Sequence, residues 1–176
     1  MEDLVRLSAA RWLMPLLALA GERGGLRFAE AVRRLGLSRG IARSSLDALV
    51  EGGWLVRNPG HGHPLRPEYL LTGRGLERSR WCARVMLVRD QVGLAPETLT
   101  RWTLPLISEL TPGEARFSGL KAALEPVSPR ALSLTLKSAI GLGLIDRRLE
   151  ESFPPKPLYA LAARGQPLAE ALANCP

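Results

Sequence analysis

Shifted against itself by 90 residues, this chain of 176 residues reproduces its most constrained residue types in order. Without a gap, Arg11, Trp12, Pro15 and Leu16 fall on Arg101, Trp102, Pro105 and Leu106. Ser38, Leu46, Gly53 and Arg57 fall on Ser128, Leu136, Gly143 and Arg147. Pro64, Pro67, Tyr69, Leu71, Arg74 and Gly75 fall on Pro154, Pro157, Tyr159, Leu161, Arg164 and Gly165. These 14 identities in 65 aligned pairs are about twice what so Leu-, Ala- and Arg-rich a composition gives by chance. The types weigh more than the total, because Trp and Tyr are infrequent and Pro and Gly are geometrically constrained. Phe28 and Phe117 match at an offset of 89, a one-residue difference in the loop before them. The chain is therefore read as two copies of one small unit.

Each unit can be read twice. A first helix runs from Trp12 to about Ala20, and from Trp102 to Leu110, with Leu13, Leu16 and Leu17, or Leu104, Ile107 and Leu110, on its apolar face. Pro15 and Pro105 kink it or mark its first turn. A second helix covers Phe28 to Leu35, and Phe117 to Leu124. The third opens at Ser38 or Ser128, both natural N-caps, and ends at Gly52 and Gly53, or Gly141 and Gly143. Its buried stripe is Ala42, Leu46 and Leu49, or Leu132, Leu136 and Ala139, at i, i+4, i+7 spacing. Extended segments follow, Trp54 to Arg57 with Tyr69 to Leu71, and Leu144 to Arg147 with Leu158 to Leu161. Three helices and a β-hairpin make a winged helix-turn-helix, whose third helix enters the DNA major groove while the hairpin lies along the backbone. The fold class expected is mainly α with small β-hairpin wings, in tandem, joined by a long helix from Leu76 to about Leu94. Residues 1–75 form the first domain on this reading, 76–95 the linker helix and 96–176 the second domain. Leu76, Val85, Met86, Leu87, Val88 and Val92 supply the linker's apolar positions.

The ordered segments of the second copy, RWT at 101, RFSGL at 116, VSPRALSLTLK at 127, GLIDRR at 143 and FPPKPLYALAARG at 153, resemble the HxlR family of winged-helix transcriptional regulators. Members show a Lys/Arg-Trp-Thr start, an Arg-Phe-x-x-Leu second helix, an Ile-Ser-x-x-x-Leu recognition helix, a Gly-Leu-hydrophobic turn and a Pro-Pro-x-x-x-Tyr-x-Leu-Thr-x-x-Gly return strand. The first copy is looser, with RW at 11, RF at 27, LGLS at 35, GGWLVR at 52 and RPEYLLTGRG at 66. The resemblance implies a DNA-binding regulator. Family members that sense oxidants or electrophiles carry a cysteine just ahead of the first tryptophan. Neither Trp12 nor Trp102 has one, so that mode does not carry over. Members usually hold one winged helix and pair as homodimers. Two units in one chain imply a covalently linked pseudo-dimer, addressing two half-sites about one helical turn apart.

Charge sharpens the partner. The chain holds 24 basic and 17 acidic residues, net +7, and 21 of the basic residues are arginine. That points to a polyanion, here double-stranded DNA. Residues 1–88 carry net +6 and residues 89–176 net +1, so the first copy is the expected principal reader. The candidate DNA contacts on the recognition helices are Ser38, Arg39, Arg43 and Ser44 in the first copy, with Asp47 on the same face, and Ser128, Arg130, Ser133 and Lys137 in the second. Leu134 puts an apolar side chain on that second face. The wing candidates are Arg57, His61, His63 and Arg66, then Arg147, Arg148 and Lys156, following phosphates or entering the minor groove. Glu150 and Glu151 oppose phosphate there. Trp12, Trp54, Trp102, Tyr69 and Tyr159 read as core. Trp81 reads as part of an inter-unit or dimer contact, and Cys82 as an inert, partly buried thiol.

Several classes fall away. No run approaches the roughly 20 apolar residues of a membrane span, and Glu2 and Asp3 stand where a signal peptide needs positive charge, so a cytoplasmic, nucleoid-associated protein without membrane contact is expected. Cys82 and Cys175 are too far apart for a zinc spacing. His61 and His63 lack a third ligand, so neither metal nor cofactor is indicated. Gly21 to Gly25 has no following Lys-Ser/Thr and no preceding strand, and no catalytic constellation is discernible, so the chain is not read as an enzyme. A homodimer through the central helix is compatible with this reading, and so, as a third reading, is a ligand-sensing regulator with an effector pocket between the units, although no residue indicates the small-molecule effector. The alternative class is a winged-helix protein–protein interaction module of the chromosome-segregation or replication-accessory type.

Overall fold

The computed structural model describes residues 1–58, 68–95, 97–150, 153 and 155–173. In chain order the elements are α1 (Glu2–Leu7), α2 (Leu13–Gly21), β1 (Gly25–Arg27), α3 (Phe28–Leu35), α4 (Arg39–Glu51), β2 (Leu55–Asn58), β3 (Glu68–Leu71) and α5 (Gly73–Gln91). They continue as α6 (Thr103–Glu109), β4 (Ala115–Arg116), α7 (Phe117–Ala123), α8 (Pro129–Gly141), β5 (Ile145–Leu149), β6 (Pro157–Leu161) and α9 (Gln166–Ala173). This is a tandem of winged helix-turn-helix units, mainly helical with small antiparallel sheets.

The local causes are the same in both copies. Pro15 and Pro105 occupy the third position of α2 and α6. The first i→i−4 bonds are donated by the next residues, Leu16 to Trp12 O at 3.0 Å and Leu106 to Trp102 O at 2.9 Å. A proline there gives up only an N–H that would have had no intrahelical partner. Ser38 and Ser128 cap α4 and α8, accepting from the Ile41 and Ala131 N–H groups at 3.2 and 3.1 Å. Gly53 and Gly143 follow the helices at φ +74° and +68°, where a Cβ would be strained. The stripe Ala42, Leu46, Leu49 is fully buried, and so is Leu132, Leu136, Ala139.

Each wing gains a strand that periodicity does not reveal. The first sheet runs β1-β3-β2 and the second β4-β6-β5, all antiparallel. Tyr69 lies between Leu26 and Arg57, and Tyr159 between Ala115 and Arg147. Strands β1 and β4 have three and two residues, too few to show an alternating pattern. They form because the return strand offers a second row of backbone groups to be paired.

Helix α5 differs from its expected register. Leu76 and Leu87 are 38% and 58% exposed, and the buried face is Gly75, Ser79, Cys82 and Val85, joined by Trp81. Small residues at i, i+4, i+7 let the helix lie close to its neighbours, which an apolarity scan passes over. Trp81 is 4% exposed and Cys82 fully buried, so in the chain itself Trp81 is a core residue rather than a surface contact. Trp12 is the reverse case, half-buried with the Arg11 guanidinium 4.6 Å from its ring centre.

Contacts divide the chain inside α5. Among the described residues, one unit is Ala10–Leu87 and the other joins Met1–Ala9 to the chain from Val88 to Ala173. Helix α1, with Leu4 and Leu7 buried, contacts α6 and so groups with the unit that follows α5. Six residues of helix have no stability of their own, so tertiary burial decides where α1 belongs. Counted by these units, residues 10–87 hold 13 basic and 6 acidic residues, net +7, and the remainder holds 11 of each, net zero.

Thr72 caps α5: its Oγ1 accepts from Gly75 N–H at 2.9 Å. The matching residue in the second copy is Ala162, which has no side-chain acceptor, and α9 accordingly begins only at Gln166. Arg164 binds this corner instead. Its guanidinium donates to Val92 O at 2.8 and 3.0 Å, to Gly93 O at 3.2 Å and to Leu142 O at 2.8 Å. These carbonyls lie at the C-terminal ends of α5 and α8, where a cation is favoured. Arg164→Ala is expected to lower stability by about 1.5–3 kcal/mol, read as a lower urea midpoint of the unit that holds it.

Candidate nucleic-acid interface

Helices α4 and α8 bury the same positions and expose the same positions. Ser38, Arg39, Arg43, Ser44 and Asp47 are exposed along α4; Ser128, Arg130, Ser133, Leu134 and Lys137 are exposed along α8. Neither helix has an acidic residue in its first turn, so the positive end of each helix dipole is left for an outside anion. A basic residue at that end, Arg39 or Arg130, does not stabilise its own helix. It suits a phosphate.

The arginines are not equivalent. Among the described residues, Arg39 and Arg57 have no carboxylate partner, and Arg43 lies over the Phe28 ring at 5.7 Å. Ser44 Oγ donates to Ile41 O at 3.2 Å. On the second wing Arg147 and Lys156 are exposed, but Arg148 is held by Glu114 through Nε at 2.7 Å and through Nη2. Arg116 similarly grips both oxygens of Glu150 at 2.6 and 2.8 Å. Hydrogen bonding from Arg148 keeps the Glu114 carboxyl below the usual carboxylate range and pushes the guanidinium further above its own ordinary value. With a depressed folded pKa, this pair is fully formed above the ordinary carboxylate range and is lost as pH falls through the depressed value. Glu150 is thus neutralised locally, and Arg148 is already committed to a carboxylate. His61, His63 and Arg66 lie outside the described residues, as does Cys175.

Two apolar residues stand on the face beside the polar candidates: Ile41, which the sequence reading passes over, and Leu134, which it places there. Ile41 is 44% exposed on the turn carrying Arg39 and Arg43; it falls off the Ala42, Leu46, Leu49 stripe, which was the available signal. Leu134, 59% exposed, stands on α8 one residue before the buried Thr135. Both can meet a thymine methyl. Among the described residues no group of three or more metal-ligating side chains occurs, and no helix is long and apolar enough to cross a membrane.

Comparison with known proteins matches both halves. The HxlR-like helix-turn-helix family model matches residues 99–175, and the IclR helix-turn-helix domain model matches residues 8–59. An HTH-type transcriptional regulator of Synechocystis sp. is 32% identical over 72 residues, 41% of this chain and 53% of that protein. The chain thus spans about half the length of the curated relative it matches. A MarR-family transcriptional regulator from Enterococcus faecalis is 28% identical, covering 51% of this chain and 76% of that one, at a TM-score of 0.42. Another MarR-family regulator, from Porphyromonas gingivalis, is 31% identical over 41% of this chain and 74% of its own, at a TM-score of 0.37.

Proposed function

We propose that the chain, whose two halves match helix-turn-helix family models, is a sequence-specific, double-stranded-DNA-binding transcriptional regulator whose two fused recognition helices act as a pseudo-dimer. The observation that carries this reading is the solvent face of α4. Arg39 and Arg43 stand one turn apart there, at the N-terminal end of a helix with no acidic residue in its first turn. Arg57 extends the positive face onto the wing. In this reading α4 is the main reader, since its unit holds the whole formal charge excess. The protein acts in the cytoplasm on the nucleoid, and neither catalysis nor a cofactor enters its mechanism.

The test is a mobility shift with sheared genomic DNA at two salt concentrations, followed by footprinting. One chain per protected site and a log–log salt slope of several counterions are expected. A salt-independent or undetectable shift overturns the reading. The second unit, formally neutral, also suits the protein-interaction alternative, because Leu134 and Leu149 are 59% and 55% exposed and Arg116 and Arg148 on its wing are paired with carboxylates. The two roles separate at Glu114. Glu114→Gln releases Arg148 and is expected to raise DNA affinity about two- to fivefold and steepen the salt slope by about 1, if β5 lies on phosphate.

A further inference from the structure

We propose that the outer face of the first wing sheet is a docking site for a protein partner that presents a short segment with an acidic side chain next to an aliphatic one. Residues paired across an antiparallel sheet point to the same face. Leu26, Tyr69 and Leu55 point inward and are buried. The outward rows are therefore Gly25, Leu70 and Val56, and beside them Arg27, Glu68 and Asn58. Leu70 and Val56 are register partners and both are exposed. Gly25 adds no side chain to this face, and a cleft of about 340 Å³ lies there, lined by Gly25, Leu70, Arg23, Arg27, Glu30 and Glu68.

The repeat shows that the fold does not require such a face. In the second copy Glu114, Ala160 and Asp146 stand where the first has Gly25, Leu70 and Val56. There Glu114 is held by Arg148, and Glu150 by Arg116, so that sheet is crossed by its own ion pairs. Asn58 replaces Arg148 and Gly25 replaces Glu114 in the first copy, which removes one of these pairs outright. An apolar pair and a cleft are left in its place.

The rim selects the occupant. Arg23 Nη1 stands 3.8 Å from Glu30 Oε1, beyond hydrogen-bond reach, and the two side chains are 76% and 21% exposed. Arg27 meets Glu68 through Nε at 2.8 Å, with exposures of 59% and 33%. In both pairs the guanidinium is the outer member, so an approaching side chain meets cations first. A guanidinium engaged on one edge still has donors for a second carboxylate. An acidic side chain beside an aliphatic one therefore matches the arginines and covers Leu70 and Val56 at once. A second copy is a poorer occupant, because residues 10–87 carry net +7 and repel their like. A nucleic-acid backbone is poorer as well, since phosphate leaves the two aliphatic side chains uncovered. None of these residues lies on α4, so the site stands whether or not that helix reads DNA.

The probe is the peptide acetyl-Asp-Leu-Glu-Ile-Asp-amide, titrated into the full chain and followed by two-dimensional NMR. Signals of Gly25, Arg27, Val56 and Leu70 are expected to shift and those of Glu114, Asp146 and Ala160 to stay. The dissociation constant should be on the order of 1 mM or tighter. A peptide with Asn and Gln for its acids, and one with Ser for Leu and Ile, should each bind at least about fivefold more weakly. Val56→Asp installs the second copy's residue at an exposed position and should abolish binding without altering the circular dichroism. Arg23→Gln should weaken the acidic peptide and not the neutral one. Equal binding of acidic and neutral peptides, full binding by Val56→Asp, or shifts confined to α4 or to the second wing would each overturn the site. Self-association of the chain in sedimentation equilibrium that Val56→Asp abolishes would give the face to a second copy. In a chain carrying Arg39→Ala and Arg43→Ala, displacement of the peptide by a short DNA duplex would give it to nucleic acid. Either result overturns the proposal.

Discussion

Replacing Arg39 and Arg43 together with alanine is expected to weaken duplex DNA binding about 30-fold or more, and to flatten the log–log salt dependence by up to about 1.8. The estimate takes roughly 1 kcal/mol for each lost contact, the low end for an arginine on a base or phosphate. The slope follows from about 0.9 counterion per phosphate no longer neutralised. Both side chains are exposed, so the fold should survive, which circular dichroism checks. Arg43→Lys separates charge from ring contact: it keeps the phosphate attraction but alters the guanidinium that lies over Phe28. The comparable change on α8, Lys137→Ala, should cost less, because the C-terminal unit is formally neutral. Fluorescence anisotropy at several salt concentrations reads both quantities. A double variant with wild-type affinity and slope would remove α4 from the interface.

The largest effect on stability is expected at Gly75 and Gly165, one of the repeat's identical pairs. A Cβ on Gly75 would fall inside the van der Waals envelope of Trp54 O, and one on Gly165 inside that of Leu144 O. Neither carbonyl can yield easily, since each accepts a backbone hydrogen bond, from Thr72 N–H at 3.1 Å and from Ala162 N–H at 3.0 Å. Gly75→Ala or Gly165→Ala should therefore cost about 2–4 kcal/mol by overpacking and loss of that bond. Gly73 is the control: nothing lies within 4 Å of its Cβ position, so Gly73→Ala should change stability by less than about 1 kcal/mol. The two close glycines lie in different contact units. Each variant should lower the midpoint of its own unit in urea, splitting a single transition into two.

What the chain declares about itself follows the length of each pattern. Helices α4 and α8 are legible because a serine cap, an i, i+4, i+7 stripe and a terminating glycine agree, and the repeat states that pattern twice. The wing hairpins are legible from short apolar runs on either side of a loop. Strands β1 and β4 are not, because two or three residues cannot display a period. The face of α5 is misjudged for a different reason: Gly75, Ser79 and Cys82 are buried for their small size, and Leu76 and Leu87 are left outside. The candidate interface divides in the same way. The exposure of Arg39, Arg43 and Lys137 follows from helix periodicity. The pairing of Arg148 with Glu114, 34 residues apart, needs the register of β4, β6 and β5, which no local pattern gives.

The sequence by itself determined that there are two copies, which helix of each presents a polar face, and that the chain as a whole is basic. Only the tertiary structure decided which copy owns the charge. Read by halves, the excess is +6 and +1; read by contact units it is +7 and zero. The difference is α1, which carries Glu2, Asp3 and Arg6 away from the copy that follows it in the chain. Helix α1 is too short to be stable alone, and burial of Leu4 and Leu7 in the unit that contains α6 fixes its place. Burial of apolar surface depends on which surfaces meet in space and carries no memory of order along the chain.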